Sequence, residues 1–117
     1  MIFKKEDAFE FEKQGVKMRV YNTTEQCSQA AVVYQETEKG HFEEFYHSKS
    51  YFIFYIIEDE GTWFIEDKPH DVKTGDIIIV PPGNRFYYKG HLKQICITSP
   101  SWEAEFEHHV RNIPDMK

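Results

Sequence analysis

Gly75-Asp76-Ile77-Ile78-Ile79-Val80-Pro81-Pro82-Gly83-Asn84-Arg85-Phe86 is the stretch that decides how this chain folds. Gly75-Asp76 suits a tight turn, and the four β-branched residues after it favour pleated backbone. Pro81-Pro82-Gly83 then stops the strand, because proline removes a ladder donor and glycine admits positive φ. The chain returns through Phe86-Tyr87-Tyr88 and turns again at Lys89-Gly90.

The same rhythm extends outward from this block. Strand-like segments occupy residues 16–20, 30–34, 42–47, 51–57 and 62–65 upstream, and 92–98 downstream, with turn residues between them. Glu66-Asp67-Lys68-Pro69 reads as a hairpin turn. Many short strands with regular turn signals point to an all-β sandwich or barrel. Residues 102–110 form a short C-terminal tail whose pattern suggests a helical turn or two. Two strands, 51–57 and 77–80, are apolar on both faces. A strand with one wet face should alternate, so both are expected to be covered on both sides. One side would line the interior. The other would lie under the N-terminal segment or against a second subunit, which motivates a homodimer.

The 117 residues suit one domain, 1–117, with a core that needs no staples. Fourteen basic and 20 acidic residues give a net charge of −6, and the lysines and arginines do not cluster. Phosphate neutralisation needs clustered cations, so neither nucleic acid nor an anionic membrane is an expected partner. No apolar run is long enough to cross a bilayer. Cys27 and Cys96 are far apart and outside any CxxC pattern, so they read as free thiols of a reducing, cytoplasmic compartment.

Residues 47–61 and 75–86 together resemble the two motifs of the cupins. The first motif runs His, any residue, His, three or four residues, Glu, six residues, Gly. Here 54–57 and the acidic turn Glu58-Asp59-Glu60-Gly61 keep its outline. The second runs Gly, five residues, Pro, any residue, Gly, two residues, His, three residues, Asn. Its Gly, Pro and Gly stand at Gly75, Pro81 and Gly83, with Phe86 in place of His and Gly90 in place of Asn. The resemblance spans about residues 40–100. It implies a double-stranded β-helix, or jelly-roll barrel, forming a single cupin domain.

In metal-binding cupins the two His and the Glu of the first motif join the His of the second. Counting back from Gly61 puts His47, Lys49 and Phe54 at the first three positions and Phe86 at the fourth. A rival register, opening at Gly40, gives Tyr46, Ser48 and Phe52 or Ile53. One imidazole cannot hold a divalent ion tightly. Either register therefore leads to the expectation of no bound metal and no cofactor.

Two readings of the interior stay open. The aromatics fill the barrel, or Phe45, Phe52, Phe54 and Phe86 line a pocket with His47, Lys49 and Tyr88 as its polar contacts. An apolar or aromatic small molecule is the expected ligand of the second. His47 is the candidate general base. Cys96 reads as a buried thiol, Trp63 as packing, and Arg85 as a solvated loop cation near the barrel mouth. His41, His70, His91, His108 and His109 read as surface residues. Three functions follow: a metal-independent small-molecule binding protein, a metal-free isomerase or epimerase with His47 as base, or a dimeric scaffold with a filled barrel.

Overall fold

The computed structural model describes residues 1–114. Nine strands make one curled sheet: β1 (Phe9–Lys13), β2 (Val16–Val20), β3 (Ala31–Thr37), β4 (Glu43–His47), β5 (Tyr51–Ile65), β6 (Lys68–Lys73), β7 (Ile77–Val80), β8 (Phe86–Ser99) and β9 (Glu107–Asn112). All pairings are antiparallel, and the main path is β1-β2-β3-β8-β4-β9. β5 pairs along the whole of β8 and carries β6 and β7 on its other edge. The result is the all-β, cupin-like jelly roll expected from the two motifs. Among the described residues, no helix is long and apolar enough to cross a membrane.

β8 is the hinge of the architecture. Its even positions Phe86, Tyr88, Leu92, Gln94, Cys96 and Thr98 are buried, the period-two pattern of a strand with one face inward. β5 opposes it with Phe52, Phe54 and Ile56, then shifts register between Ile56 and Glu58, and continues inward with Trp63. Where the two long strands cross, Gly61 faces Gly90. A Cβ on Gly90 would lie 2.6 Å from the Gly61 Cα, and Gly90 holds φ +140°. Both the approach and the backbone conformation therefore demand glycine there.

The β5–β6 turn is built on Glu66 and Asp67 at φ +50° and +69°, which is the geometry of a two-residue hairpin loop. Arg85 does not stand free beside it. Its guanidinium reaches Asp67 at 2.9 Å and the wholly buried Glu44 at 3.2 Å, and Arg111 reaches Glu44 at 2.8 Å. The Arg85 guanidinium holds the Asp67 carboxyl below its ordinary range. Arg85 is thus a structural clamp rather than a solvated cation.

Two further expectations change. Residues 102–110 are not helical: a 3-10 turn at Ala104–Phe106 leads into β9, which pairs with β4. The free edge of β4 supplies hydrogen-bonding partners that local sequence cannot reveal. The N-terminal segment does not cover β5 and β7 either, because β1 pairs with β2 alone. The outer faces of β5 and β7 are left exposed, with Ile77 at 62% and Ile79 at 55%.

Candidate functional site

The first motif's turn residue in space is Asp59, not Gly61. Asp59 adopts φ +69° immediately after the register shift of β5, whereas Gly61 is ordinary paired strand opposite Val72 and Gly90. Aspartate is one of the few residues that enters the left-handed region readily. Counting back from Asp59, six residues separate it from Phe52. Four more separate Phe52 from His47, and Phe45 stands two before that. The four motif positions are therefore Phe45, His47, Phe52 and Phe86, with Lys49 and Phe54 outside the set.

The side chains confirm this register. Ring centroids lie 4.6 Å apart for Phe45–Phe86, 5.5 Å for Phe52–Phe86, 5.7 Å for Phe45–Phe52 and 5.6 Å for His47–Phe52. Phe54 continues the stack onto Trp63 at 4.4 Å, and Trp63 onto Tyr88 at 4.3 Å. None of these rings is more than 6% exposed. Their own atoms fill the middle of the barrel, as edge-to-face and offset packing of aromatics favours. Lys49 turns outward instead, with its ammonium 3.1 Å from Glu103 and over the Phe106 ring.

His47 stays inside but is fully engaged. Its Nδ1 accepts the N–H of Ser50 at 2.9 Å and that of Lys49 at 3.3 Å. Its Nε2–H donates to the carbonyl of Glu103 at 3.1 Å. Burial pushes its pKa below the ordinary histidine value. Both ring nitrogens are thus spent on tying the β4–β5 turn to the segment before β9. The four motif positions do not fit a metal ion: three are Phe, and the remaining imidazole has no lone pair to offer. Among the described residues, no three His, Cys, Asp or Glu side chains gather in a way that would hold an ion.

The free imidazole belongs to His41, a buried residue and not the surface histidine its loop-edge position suggests. His41 is buried, with its ring 5.2 Å from Phe45 and 5.7 Å from Tyr88. Gly40 at φ +127° bends the chain over β8, where Gly90 N–H donates to Lys39 and His41 N–H donates to Tyr88. That crossing swings His41 inward. Its Nδ1 lies 2.6 Å from the carbonyl oxygen of Glu43. A carbonyl only accepts, so Nδ1 carries the proton and Nε2 keeps its lone pair. Among the described residues Nε2 has no hydrogen-bond partner. Burial lowers the pKa of His41, opposed by the Glu43 carbonyl and by the Glu43 and Glu107 carboxylates.

A polar rim surrounds His41. Glu43 Oε2 lies 2.6 Å from His109 Nδ1 on β9. Glu107 bridges Lys13 at 3.2 Å and accepts the indole N–H of Trp102 at 2.9 Å. Lys13 and Phe11 stand opposite Val16 and Met18, which pack inward. Paired residues share a face, so Phe9, Phe11 and Lys13 border the concave side. Phe9 and Phe11 are exposed, with their rings 5.5 Å apart. Deeper in, Tyr88 and Gln94 both donate to Gln35 Oε1, at 3.3 and 2.8 Å, while Gln94 Oε1 is buried without a partner. Burial raises the Cys96 thiol above its usual range, which suits a packed core thiol. Two open grooves of about 460 and 430 Å³ border the β1–β2 hairpin, the second reaching Phe42 and His91, and neither is lined by His41 or His47.

The histidines divide accordingly. His109 and His108 lie on β9, not in a loose tail, and His108 stacks on Tyr46 at 4.8 Å. His70 and His91 lie exposed on β6 and β8. His41, Glu43, Lys13, Glu107 and His109 were missed as a group. They come from three segments that meet only when β1 and β9 close the mouth.

The family model for the cupin domain matches residues 31–96. Among solved structures, a variant of Streptomyces Pac13 with uridine superposes with a TM-score of 0.92 at 29% identity, covering 97% of this chain and 92% of that one. A second Pac13 structure, described as that of a unique nucleoside dehydratase, gives 0.92 at 28% identity, covering 97% and 92%. KdgF from Halomonas shares the fold at a TM-score of 0.75 and 13% identity, over 90% of this chain and 97% of that one. No curated protein matches the chain by sequence.

Proposed function

The chain belongs to the cupin domain family, and from that premise we propose that it is an enzyme that removes water from a nucleoside-type substrate, with His41 as the base. The observation that carries this reading is the His41 ring: neutral, held in one tautomer by Glu43, with its Nε2 lone pair unengaged. The likeness to Pac13 along nearly the whole chain supplies the substrate class. The reading uses no metal, in keeping with the aromatic residues at the motif positions.

Elimination of water by an imidazole needs an acidified C–H, so the substrate would carry a carbonyl next to the carbon that loses its proton. Nε2 of His41 takes that proton. The electron pair left on carbon moves into the new C=C bond as the C–O bond to the neighbouring hydroxyl breaks. The departing oxygen takes a proton and leaves as water. In this reading the proton comes from the imidazolium just formed on His41 or from the Lys13 ammonium at the rim. Phe9 and Phe11 offer apolar surface for a planar ring.

His47 is not favoured as base, because neither of its nitrogens is free. The test is to incubate the full chain with nucleosides and with nucleosides oxidised at a sugar carbon, and to follow loss of one water by mass spectrometry. Turnover that disappears in His41→Gln, with the melting midpoint kept, supports the reading. If no nucleoside is bound or dehydrated, it fails.

A further inference from the structure

We propose that Gln35 is a specificity-determining residue of this site, and that its Nε2 donates a hydrogen bond to the ring carbonyl of the ligand that lies farthest from the sugar. The inference rests on the nucleoside reading above and deepens it, because that reading leaves the nucleobase open.

The strand register places Gln35. On β3 it pairs with Met18 of β2 and Gln94 of β8, and Met18 pairs in turn with Phe11 of β1. Cross-strand partners share a face, so Phe11, Met18, Gln35 and Gln94 form one row on the concave side. The row runs from exposed Phe11 at the rim to wholly buried Gln94, and Gln35 stands between them at 7% exposed. Tyr88 joins this row to His41. Its ring lies 5.7 Å from the His41 ring, and its hydroxyl 3.3 Å from Gln35 Oε1.

Hydrogen bonding fixes which way the Gln35 amide points. Its Oε1 accepts from the Tyr88 hydroxyl and, at 2.8 Å, from Gln94 Nε2–H. Turning both amides over would keep the contact between them. It would also seal an NH2 group where the partnerless Gln94 Oε1 now lies. A sealed N–H is a rarer and costlier defect than a sealed carbonyl. Gln35 Nε2 is therefore the free end of the amide. It has no hydrogen-bond partner among the described residues, and unlike Gln94 Oε1 it is not closed off from solvent. That end of an amide can only donate.

A lone donor in an uncharged row suits a neutral acceptor. A ring carbonyl satisfies it, whereas an amino group in the same place would set donor against donor. With the sugar at His41 and the ring reaching past Tyr88 towards Gln35, the ring atom that meets Nε2 is the one opposite the glycosidic bond. In a pyrimidine that atom is C4, which carries a carbonyl in uracil and an amino group in cytosine. Gln35 thus tells the two apart by leaving the wrong one unsatisfied.

The experiment is calorimetric titration of the full chain with uridine and with cytidine. The wild type is expected to prefer uridine by about tenfold or more, the cost of opposing two donors. Gln35→Glu keeps an oxygen for Tyr88 and Gln94, whose hydrogen bonds favour the ionised carboxylate, and turns the free end into an acceptor. Its preference is expected to swing to cytidine. Gln35→Met removes the donor without replacing it and is expected to bind the two alike. A merely structural role would weaken both ligands together and leave their ratio unmoved. A wild type that binds both equally, or cytidine more tightly, overturns the inference, and so does a uridine preference that survives in either variant. Those results leave the catalytic reading standing if His41→Gln still abolishes turnover. A wild type that binds neither nucleoside overturns both.

Discussion

The Nδ1 of His41 sits 2.6 Å from the carbonyl oxygen of Glu43, and this one contact decides which nitrogen of the ring is basic. The same Glu43 sends its carboxylate to His109. One residue at the start of β4 thus fixes a tautomer with its backbone and anchors β9 with its side chain.

On the proposed dehydratase reading, the pH dependence of turnover follows from the state of His41. Its pKa lies below the ordinary value of about 6.5, chiefly through burial. The base is neutral from there upward, so kcat/KM should be level near neutrality and fall on the acid side. Glu107→Gln removes a carboxylate that raises this pKa, and should move the acid limb to lower pH. His41→Gln should cost roughly 10²- to 10⁴-fold in kcat. Steady-state rates across a pH series check all three statements.

Stability should also fall in acid. His41 and His47 are both held neutral with lowered pKa in the fold, while the unfolded chain titrates near 6.5. The unfolded state therefore binds more protons below that pH. Stability is fully present above about 6.5 and is lost as pH falls towards the folded values. Melting midpoints of the wild type should drop between neutral pH and pH 5, and His41→Gln should flatten part of that slope.

The aromatic stack should carry much of the fold. Phe86 is 1% exposed and touches Phe45, Phe52, Phe54 and Trp63. Phe86→Ala should cost about 3–5 kcal/mol, the range for a buried phenylalanine. Lys49→Ala, which removes a surface ion pair, should cost less than about 1 kcal/mol. Urea denaturation of the two variants separates the cases.

Gly90→Ala should destabilise by about 1–3 kcal/mol through backbone strain alone, and more where the added methyl meets the Gly61 Cα. Gly75→Ala adds a methyl into open space and should be milder, although φ +94° still strains it. Thermal melts of the two variants check the order.

The jelly roll was legible because its punctuation is local. Gly75, Pro81 and Gly83 act within a few residues, and the alternation along β8 needs only period two. The site was less legible for a geometric reason. Gly61 has the sequence signature of a turn residue, but the left-handed turn is made by Asp59, and a shift of two exchanges Lys49 and Phe54 for Phe45 and Phe52. His41 was hidden because its direction is set by Gly40 crossing over Gly90, fifty residues away. β9 was hidden because its partner, the free edge of β4, appears only after the barrel has curled.

The filled centre has a consequence for how this protein can change. Its stability rests on the rings of Phe45, Phe52, Phe54, Trp63 and Phe86, while its free imidazole and rim charges lie at the mouth on β1, β9 and the Gly40 crossing. On the proposed reading, such a chain could change its ligand by drifting at Phe9, Phe11, Trp102 or His109 without loosening its core. Mutant libraries confined to those four rim positions should therefore stay folded while they explore new ligands.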